Sequence, residues 1–224
     1  MHRMWNWKMI ILKCLVITLG VFLAGLGCAS YLKAALGSDP VTAFVEGLGK
    51  TLGITAGAAT NILNVSAFVV LLLCNRKLIH IGTAIYTLFL GMFVDACSKG
   101  LDVLLGPSPA LWSRAVVLVV GTLAIGFGLG LYQSAELGAG PTDGLNQTVV
   151  QKTGLAYKWE RIVFDALMAF TGWLLGGTIF LGTIVGVFAV GPIMAPTIQW
   201  GKRMFARLEN IQQKIGKQGG SRRL

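Results

Sequence analysis

The stretch Leu137-Gly138-Ala139-Gly140-Pro141-Thr142-Asp143-Gly144-Leu145 has a counterpart about a hundred residues earlier, Leu36-Gly37-Ser38-Asp39-Pro40-Val41-Thr42-Ala43-Phe44. In each copy a glycine-containing turn leads into a proline and then into about a dozen helix-compatible residues. Proline suits the first helical position because its fixed φ matches a helix and its missing N–H would have no intrahelical partner there. Each copy therefore predicts the N-terminus of a short helix. The likeness extends well beyond the turn. Gly20, Gly25, Gly27 and Tyr31 recur 101 positions later as Gly121, Gly126, Gly128 and Tyr132, and Ile81-Gly82-Thr83 with Gly91 recurs 100 positions later as Leu181-Gly182-Thr183 with Gly191. Matches kept in order over that distance indicate an internal duplication, so any fold must build one unit twice.

The unit is a membrane one. Hydrophobic residues make up 54% and charged residues 12% of the 224 residues, with a mean hydropathy of +0.71. A soluble globule needs more polar surface than that. The net charge of +10 comes from cations at the ends of apolar runs and in the C-terminal tail, without interleaved aromatics for base stacking. It reads as a topology signal and argues against a nucleic-acid partner. Cys14, Cys28, Cys74 and Cys97 fall in or beside apolar runs with no metal-ligand or redox spacing, and read as small packing residues.

Six segments read as spans, at about 9–31, 55–74, 79–97, 114–133, 159–175 and 178–200. The first is led by Arg3, Trp5, Trp7 and Lys8, and its small residues Gly27-Cys28-Ala29-Ser30 imitate a signal sequence. Its length, and the recurrence of its glycines inside the fourth span, argue that it is retained. Two short helices, 40–53 and 141–154, cannot cross about 30 Å of hydrocarbon and are re-entrant or interfacial. The link 99–113, with Pro107 and Pro109, divides a first repeat, 1–98, from a second, 114–201, and a basic, solvated tail covers 202–224.

Placing the N-terminus in the cytoplasm puts fifteen of the nineteen cations on that side, leaving Lys33, Lys50, Lys99 and Arg114 outside. Three spans per repeat is an odd number, so the two copies enter the membrane from opposite sides. The fold expected is an all-α membrane protein of six transmembrane helices plus two short broken helices, arranged as two inverted three-span repeats with both termini cytoplasmic.

The residues also resemble the YczE branch of the YczE/YyaS/YitT group of small bacterial multi-pass membrane proteins. The likeness is carried by Leu36 to Pro40 followed by Leu52-Gly53-Ile54, by Gly138-Ala139-Gly140-Pro141 with Asp143-Gly144-Leu145, by Gly172 to Gly177, by Leu181-Gly182-Thr183 and by Gly191-Pro192. It covers nearly the whole chain apart from the tail. The resemblance implies a protein of the bacterial cytoplasmic membrane of transporter type. Asp143 and the Arg161/Asp165 pair are similar in character to charged positions of that group, whereas Thr142 stands where a basic residue is common.

Irregular backbone within a bilayer persists only where protein or a water-filled cavity satisfies its polar groups. Two inversion-related breaks should therefore meet inside the bundle, each aiming a helix N-terminus worth roughly half a positive charge at the space between them. This predicts a midplane site built from Ser38, Asp39, Pro40, Gly138, Gly140, Pro141, Asp143 and Asn146, taking an anionic or carboxylate-bearing solute. Asp165 and its repeat counterpart Asn64, with Asn61 one turn earlier and Arg161 one turn before Asp165, form a polar core suited to proton coupling. The blander reading makes Asp39 an ordinary N-cap and Arg161/Asp165 a surface pair. Asp95 is expected at an interface, and His80 as a polar anchor at the inner surface. No nucleophile–base pair, metal-ligand spacing or phosphate-cradling loop is present, so neither catalysis nor a cofactor is expected. The function expected is a small-solute transporter or facilitator. The alternative is a non-transporting scaffold for a cytoplasmic enzyme or signalling partner. Beyond the lipid bilayer and the solute, the glycine faces leave a homodimer open.

Overall fold

The computed structural model describes residues 7–107 and 109–221, with side chains described as far as residue 211. Arg3, Trp5, Arg222 and Arg223, invoked above, lie outside the described residues, as do the side chains of Lys214 and Lys217. The chain is all-helical, with no strand among the described residues. Its helices are α1 (Trp7–Ala34), α2 (Pro40–Leu52), α3 (Ala56–Cys74), α4 (Ile81–Leu105), α5 (Leu111–Ser134), α6 (Pro141–Thr153), α7 (Tyr157–Leu174) and α8 (Leu181–Ser221). Four of them, α1, α3, α5 and the first 31 residues of α8, are long and apolar enough to cross a membrane. The other two long helices carry acidic residues along their length: Asp95 and Asp102 on α4, and Glu160 and Asp165 on α7.

The two proline turns fold alike. Both α2 and α6 have 13 residues, begin with proline and end at a left-handed glycine, Gly53 (φ 66°) or Gly154 (φ 70°). Only a residue without Cβ adopts that conformation cheaply. Each turn is pinned by the start of a long helix from the other half of the sequence. Gly182 N donates to Leu36 O (2.7 Å) and Ser38 N to Thr178 O (3.2 Å), while Gly82 N donates to Leu137 O (2.8 Å) and Ala139 N to Leu78 O (3.4 Å). These bonds satisfy backbone groups that the turns themselves leave free.

At the centre α1 lies against α5. A Cβ added at Gly20 would meet Gly128 O at 2.6 Å, one at Gly128 would meet Gly20 O at 2.6 Å, and one at Gly27 would meet Gly121 O at 2.7 Å. Small residues let the backbones approach closely, which matters where lipid supplies no hydrophobic drive between helices. Tyr31 and Thr122 share a buried hydroxyl–hydroxyl bond of 2.8 Å across the same contact. Outside this pair α4 packs on α1, with Gly25 under Phe93, and α8 packs on α5, with Gly126 under Ile193 and Gly130 under Thr197.

The two halves differ in how they close. On α3 and α4, Gly57 and Gly91 each face the other's carbonyl oxygen. Asn61 Oδ1 accepts from Gly91 N (3.2 Å), and Asp95 accepts from Gly57 N (2.9 Å) and from the Thr55 hydroxyl (2.7 Å). Asp95 thus helps to cap α3. At the matching place on α8, a Cβ on Gly191 would find no atom within 4 Å. Among the described residues α7 packs on α2 and α6 and scarcely touches α8. Its closest approach is to α2, where a Cβ on Gly172 would meet Phe44 N at 2.7 Å.

The last span, read from sequence as ending near residue 200, continues as helix to Ser221. The reason is a second apolar face. Met204, Phe205 and Leu208 pack in one cluster with Met9, Leu12 and Val16 of α1, and Phe205 is only 3% exposed. Lys13 reinforces the contact by pairing with Glu209 (3.3 Å) while standing over the Phe205 ring. Pro192 and Pro196 lie within α8 without ending it.

Candidate functional site

Both proline turns open on a single cavity of about 270 Å³. Asp39, Pro40, Val41 and Thr42 line it from the first turn, and Thr142 and Asp143 from the second. Thr60 and Asn64 of α3, Tyr86 of α4, Gln133 of α5, and Tyr157, Arg161, Phe164 and Asp165 of α7 complete its polar and aromatic wall. Leu90, Ile125, Leu129, Val187, Val190 and Met194 supply apolar surface.

Each half-helix brings its own acid to this space. Asp39 is the N-cap of α2, with Oδ2 accepting the Thr42 N–H at 3.3 Å. An N-cap carboxylate answers one of the orphan donors of the first turn. The chain approaches closely here because Gly186 of α8 has no side chain: a Cβ there would stand 3.2 Å from Asp39 Cβ and 3.1 Å from the Tyr31 hydroxyl. Asp143 is the third residue of α6, where a carboxylate complements the helix dipole. Its Oδ2 accepts from Gln133 Nε2 (3.3 Å) and its Oδ1 from Arg161 (3.1 Å). Arg161 also donates through Nε to Asp165 Oδ2 at 3.1 Å, one turn along α7. The guanidinium thus ties the start of α6 to α7, and it lies 5.8 Å from the Phe164 ring centre.

Three polar atoms around the cavity have no hydrogen-bond partner among the described residues: Asp39 Oδ1, Asp165 Oδ1 and Asn64 Nδ2. An unmet buried polar atom costs about 1–3 kcal/mol, and more for a charged group. Three on one cavity mark where water or a ligand belongs.

Of the residues singled out in the sequence, Asp39, Pro40, Asn64, Asp143, Arg161 and Asp165 come together on this cavity. The others lie behind it. Ser38 is 1% exposed, in the turn bound to Thr178. Gly138 O accepts the Tyr132 hydroxyl at 2.9 Å, and Gly140 and Pro141 supply the cap and first residue of α6. Asn146 is 2% exposed; with its amide nitrogen assigned to face acceptors, it donates to Glu160 Oε1 and Thr142 O, both at 3.2 Å. Asn61 is the strut between α3 and α4. Thr42, Thr60, Tyr86, Gln133 and Tyr157 were not foreseen. Gln133, an amide at the end of a long apolar run of α5, carried a readable signal; threonines in spans bond their own helix too often to stand out, as Thr60 does to Ala56 O.

A protein-family model described as a family of unknown function (DUF6198) matches residues 11–198. The chain is 32% identical over 160 residues to the uncharacterized membrane protein YczE of Bacillus subtilis, covering 71% of this chain and 73% of that one. It is 27% identical over 196 residues to an uncharacterized protein of Haemophilus influenzae (88% and 86% covered). It is 25% identical over 193 residues to the uncharacterized protein YyaS of Bacillus subtilis (82% and 90% covered). No solved structure matches the chain.

Proposed function

The chain belongs to the family of unknown function DUF6198, and from that premise we propose that it is a multi-pass membrane transporter or facilitator for a small polar solute. The six long helices are its spans, and α2 and α6 are re-entrant half-helices entering from opposite faces of two inverted repeats. The solute occupies the space between their N-termini, which is exposed alternately to the two sides. No catalytic step is assigned.

The observation that carries this reading is the single cavity lined by both proline turns. Helix breaks that served only as headgroup-level caps would have no need to converge. Support comes also from the reciprocal bonds Gly182 N to Leu36 O and Gly82 N to Leu137 O. That exchange is what two units related by a two-fold axis in the membrane plane would make. Asp165, with one oxygen on Arg161 and the other unpartnered, is the proton-coupling residue of this reading.

The test begins with the purified full chain and a metabolite panel, since a solute that binds only the folded state must raise its apparent stability. Hits are then carried into proteoliposomes. Asp165→Asn should leave the protein folded and abolish uptake driven by a proton gradient; unchanged uptake at every pH would refute the coupling role. A second reading, a membrane scaffold for a cytoplasmic partner, draws on the continuation of α8 to Ser221 with Arg203 and Arg207 along it. A panel without a single stabilising solute at millimolar concentration would favour it.

A further inference from the structure

The charges around the cavity bear on which solute it takes. Three carboxylates, Asp39, Asp143 and Asp165, stand against one guanidinium, Arg161. Both half-helix N-termini, which were expected to attract an anion, face their own acids, Asp39 through the Thr42 N–H and Asp143 in the first turn of α6. The positive ends of the dipoles are therefore already answered. Asp143 has partners on both oxygens, in Gln133 and Arg161. Asp39 Oδ1 and Asp165 Oδ1 have none and are closed off from solvent. The unmet demand of these two oxygens is for hydrogen-bond donors and positive charge.

Asn64 adds a second, different demand. It is 3% exposed, lines the cavity and has its amide nitrogen unpartnered. A buried N–H left in that condition is costly, and as a donor it calls for an acceptor, such as a hydroxyl oxygen carried by the same solute. The remaining wall is aromatic and apolar. Tyr86, Tyr157 and Phe164 present ring surface that attracts cations, and Leu90, Ile125 and Val190 offer contact to carbon. Among the described residues no three His, Cys, Asp or Glu side chains are grouped to hold a metal ion. A volume of about 270 Å³ also exceeds what a bare ion fills.

We infer that the cavity binds a small hydroxyl-bearing organic cation of the primary ammonium class, its ammonium between Asp39 and Asp165 and its hydroxyl oxygen accepting from Asn64, and that the cation displaces one proton from this carboxylate pair. This deepens the transport reading above and rests on it for the movement of the cation, though not for its binding. In the empty site one carboxyl of the pair carries a proton; when the ammonium arrives, that proton leaves to water and the ammonium N–H groups take its place, so charge in the cavity is unchanged. The groups facing Asp39 are Cys28 and Tyr31 from α1, Tyr86 from α4, and Arg161 and Asp165 from α7; those facing Asp165 are Arg161, Asp143 and Asp39, with Glu160 also on α7. Among these Arg161 is the only cation, and it is held by Asp143 and Asp165.

The experiment measures the thermal unfolding midpoint of the purified full chain against ethanolamine hydrochloride and methylammonium chloride. Tetramethylammonium chloride, sodium acetate and sodium chloride at equal ionic strength serve as comparisons, at pH 6, 7 and 8. The expected result is stabilisation greatest with ethanolamine, less with methylammonium, which has no acceptor for Asn64, less again with tetramethylammonium, and none by acetate beyond sodium chloride. Apparent affinity should rise with pH, approaching tenfold per unit while one proton is displaced. Asp39→Asn should weaken ethanolamine at least tenfold and flatten the pH dependence. Asn64→Ala, which changes no charge, should weaken it while keeping the pH dependence, and it preserves the test if Asp39→Asn does not fold. Stabilisation by acetate alone, equal response to all salts, or a wild-type response in folded Asn64→Ala would each overturn the inference. Labelled ethanolamine in proteoliposomes separates the two readings. Binding without flux sinks transport and leaves the cation site standing, whereas flux of another solute with no ammonium binding does the reverse.

Discussion

Gly91 and Gly191 occupy matching places in the two halves, yet the same substitution should affect them very differently. An alanine Cβ at Gly91 would fall within the van der Waals envelope of Gly57 O and of the Asn61 side chain. Overpacking of this kind costs about 1–3 kcal/mol. Moving Asn61 away also loses its bond to Gly91 N (3.2 Å), a further cost of about 0.5–1.5 kcal/mol. Gly91→Ala should therefore destabilise by about 2–4 kcal/mol. At Gly191 an added Cβ meets nothing within 4 Å. The helix preference for alanine, about 0.8–1 kcal/mol, is opposed there by its Cβ against the ring of Pro192, the next residue of α8, so Gly191→Ala should be close to neutral. The two variants should differ by about 2–4 kcal/mol in equilibrium unfolding, followed by helical circular dichroism in mixed micelles during a denaturing-detergent titration. Equal effects, within about 1 kcal/mol, would show that α7 closes on α8 as α3 does on α4, and would refute the asymmetry described above.

Other side chains give independent checks. Tyr31→Phe removes the bond to Thr122 and should cost about 0.5–1.5 kcal/mol in the same titration, without altering the helical signal of the folded state. Phe205→Ala should cost about 3–5 kcal/mol if the end of α8 is anchored on α1 as strongly as a core aromatic; a change below about 0.5 kcal/mol would mean that the contact carries no stability. Arg161→Gln strips Asp143 and Asp165 of their shared cation. Because the Arg161 side chain is 38% exposed, solvent screening brings the cost below that of a fully buried pair, to about 1–3 kcal/mol. Adding Asp165→Asn to Arg161→Gln should recover part of that loss, and strict additivity of the two changes would argue against their coupling.

Much of this was written in local chemistry. Pro40 and Pro141 begin 13-residue helices, and Gly53 and Gly154 end them, because proline and glycine restrict backbone geometry wherever they stand. The glycines of α1 and α5 could be matched by position, since only close approach of two backbones makes such a pattern useful. What could not be read was partnership across the fold. Asn61 and Asn64 share a helix and a residue type, yet one braces α4 and the other faces the cavity. Their separation depends on the placement of α4, to which neither residue contributes a local signal. Asn146 shares a helix face with Asp143, three residues earlier, but its amide is buried against Glu160 and Thr142 O rather than on the cavity, a partnership that depends on where α7 packs. The sign of the cavity charge was legible only as a choice. Asp39 as an N-cap stood beside an anion site at the same helix start, and the bond from the Thr42 N–H to Asp39, which depends on geometry, favours the cap.

The length of α8 has a mechanical side. Pro196 and Ser221 are separated by 25 residues of continuous helix, about 38 Å at 1.5 Å per residue. Neither Pro192 nor Pro196 can donate a backbone hydrogen bond, so bending is cheapest there. A rotation of ten degrees at that point would sweep the far end through roughly 6–7 Å by simple lever arithmetic on that length. Phe205 and Glu209 sit about a third to a half of the way along the arm, and both are fastened to the start of α1. Any such rotation must drag the beginning of the chain with it or tear that fastening. Spin labels at Lys77 and Arg207 would record the stroke as a distance change of about 3 Å, and a separation that never varies with ligand or pH would mean the arm is a strut.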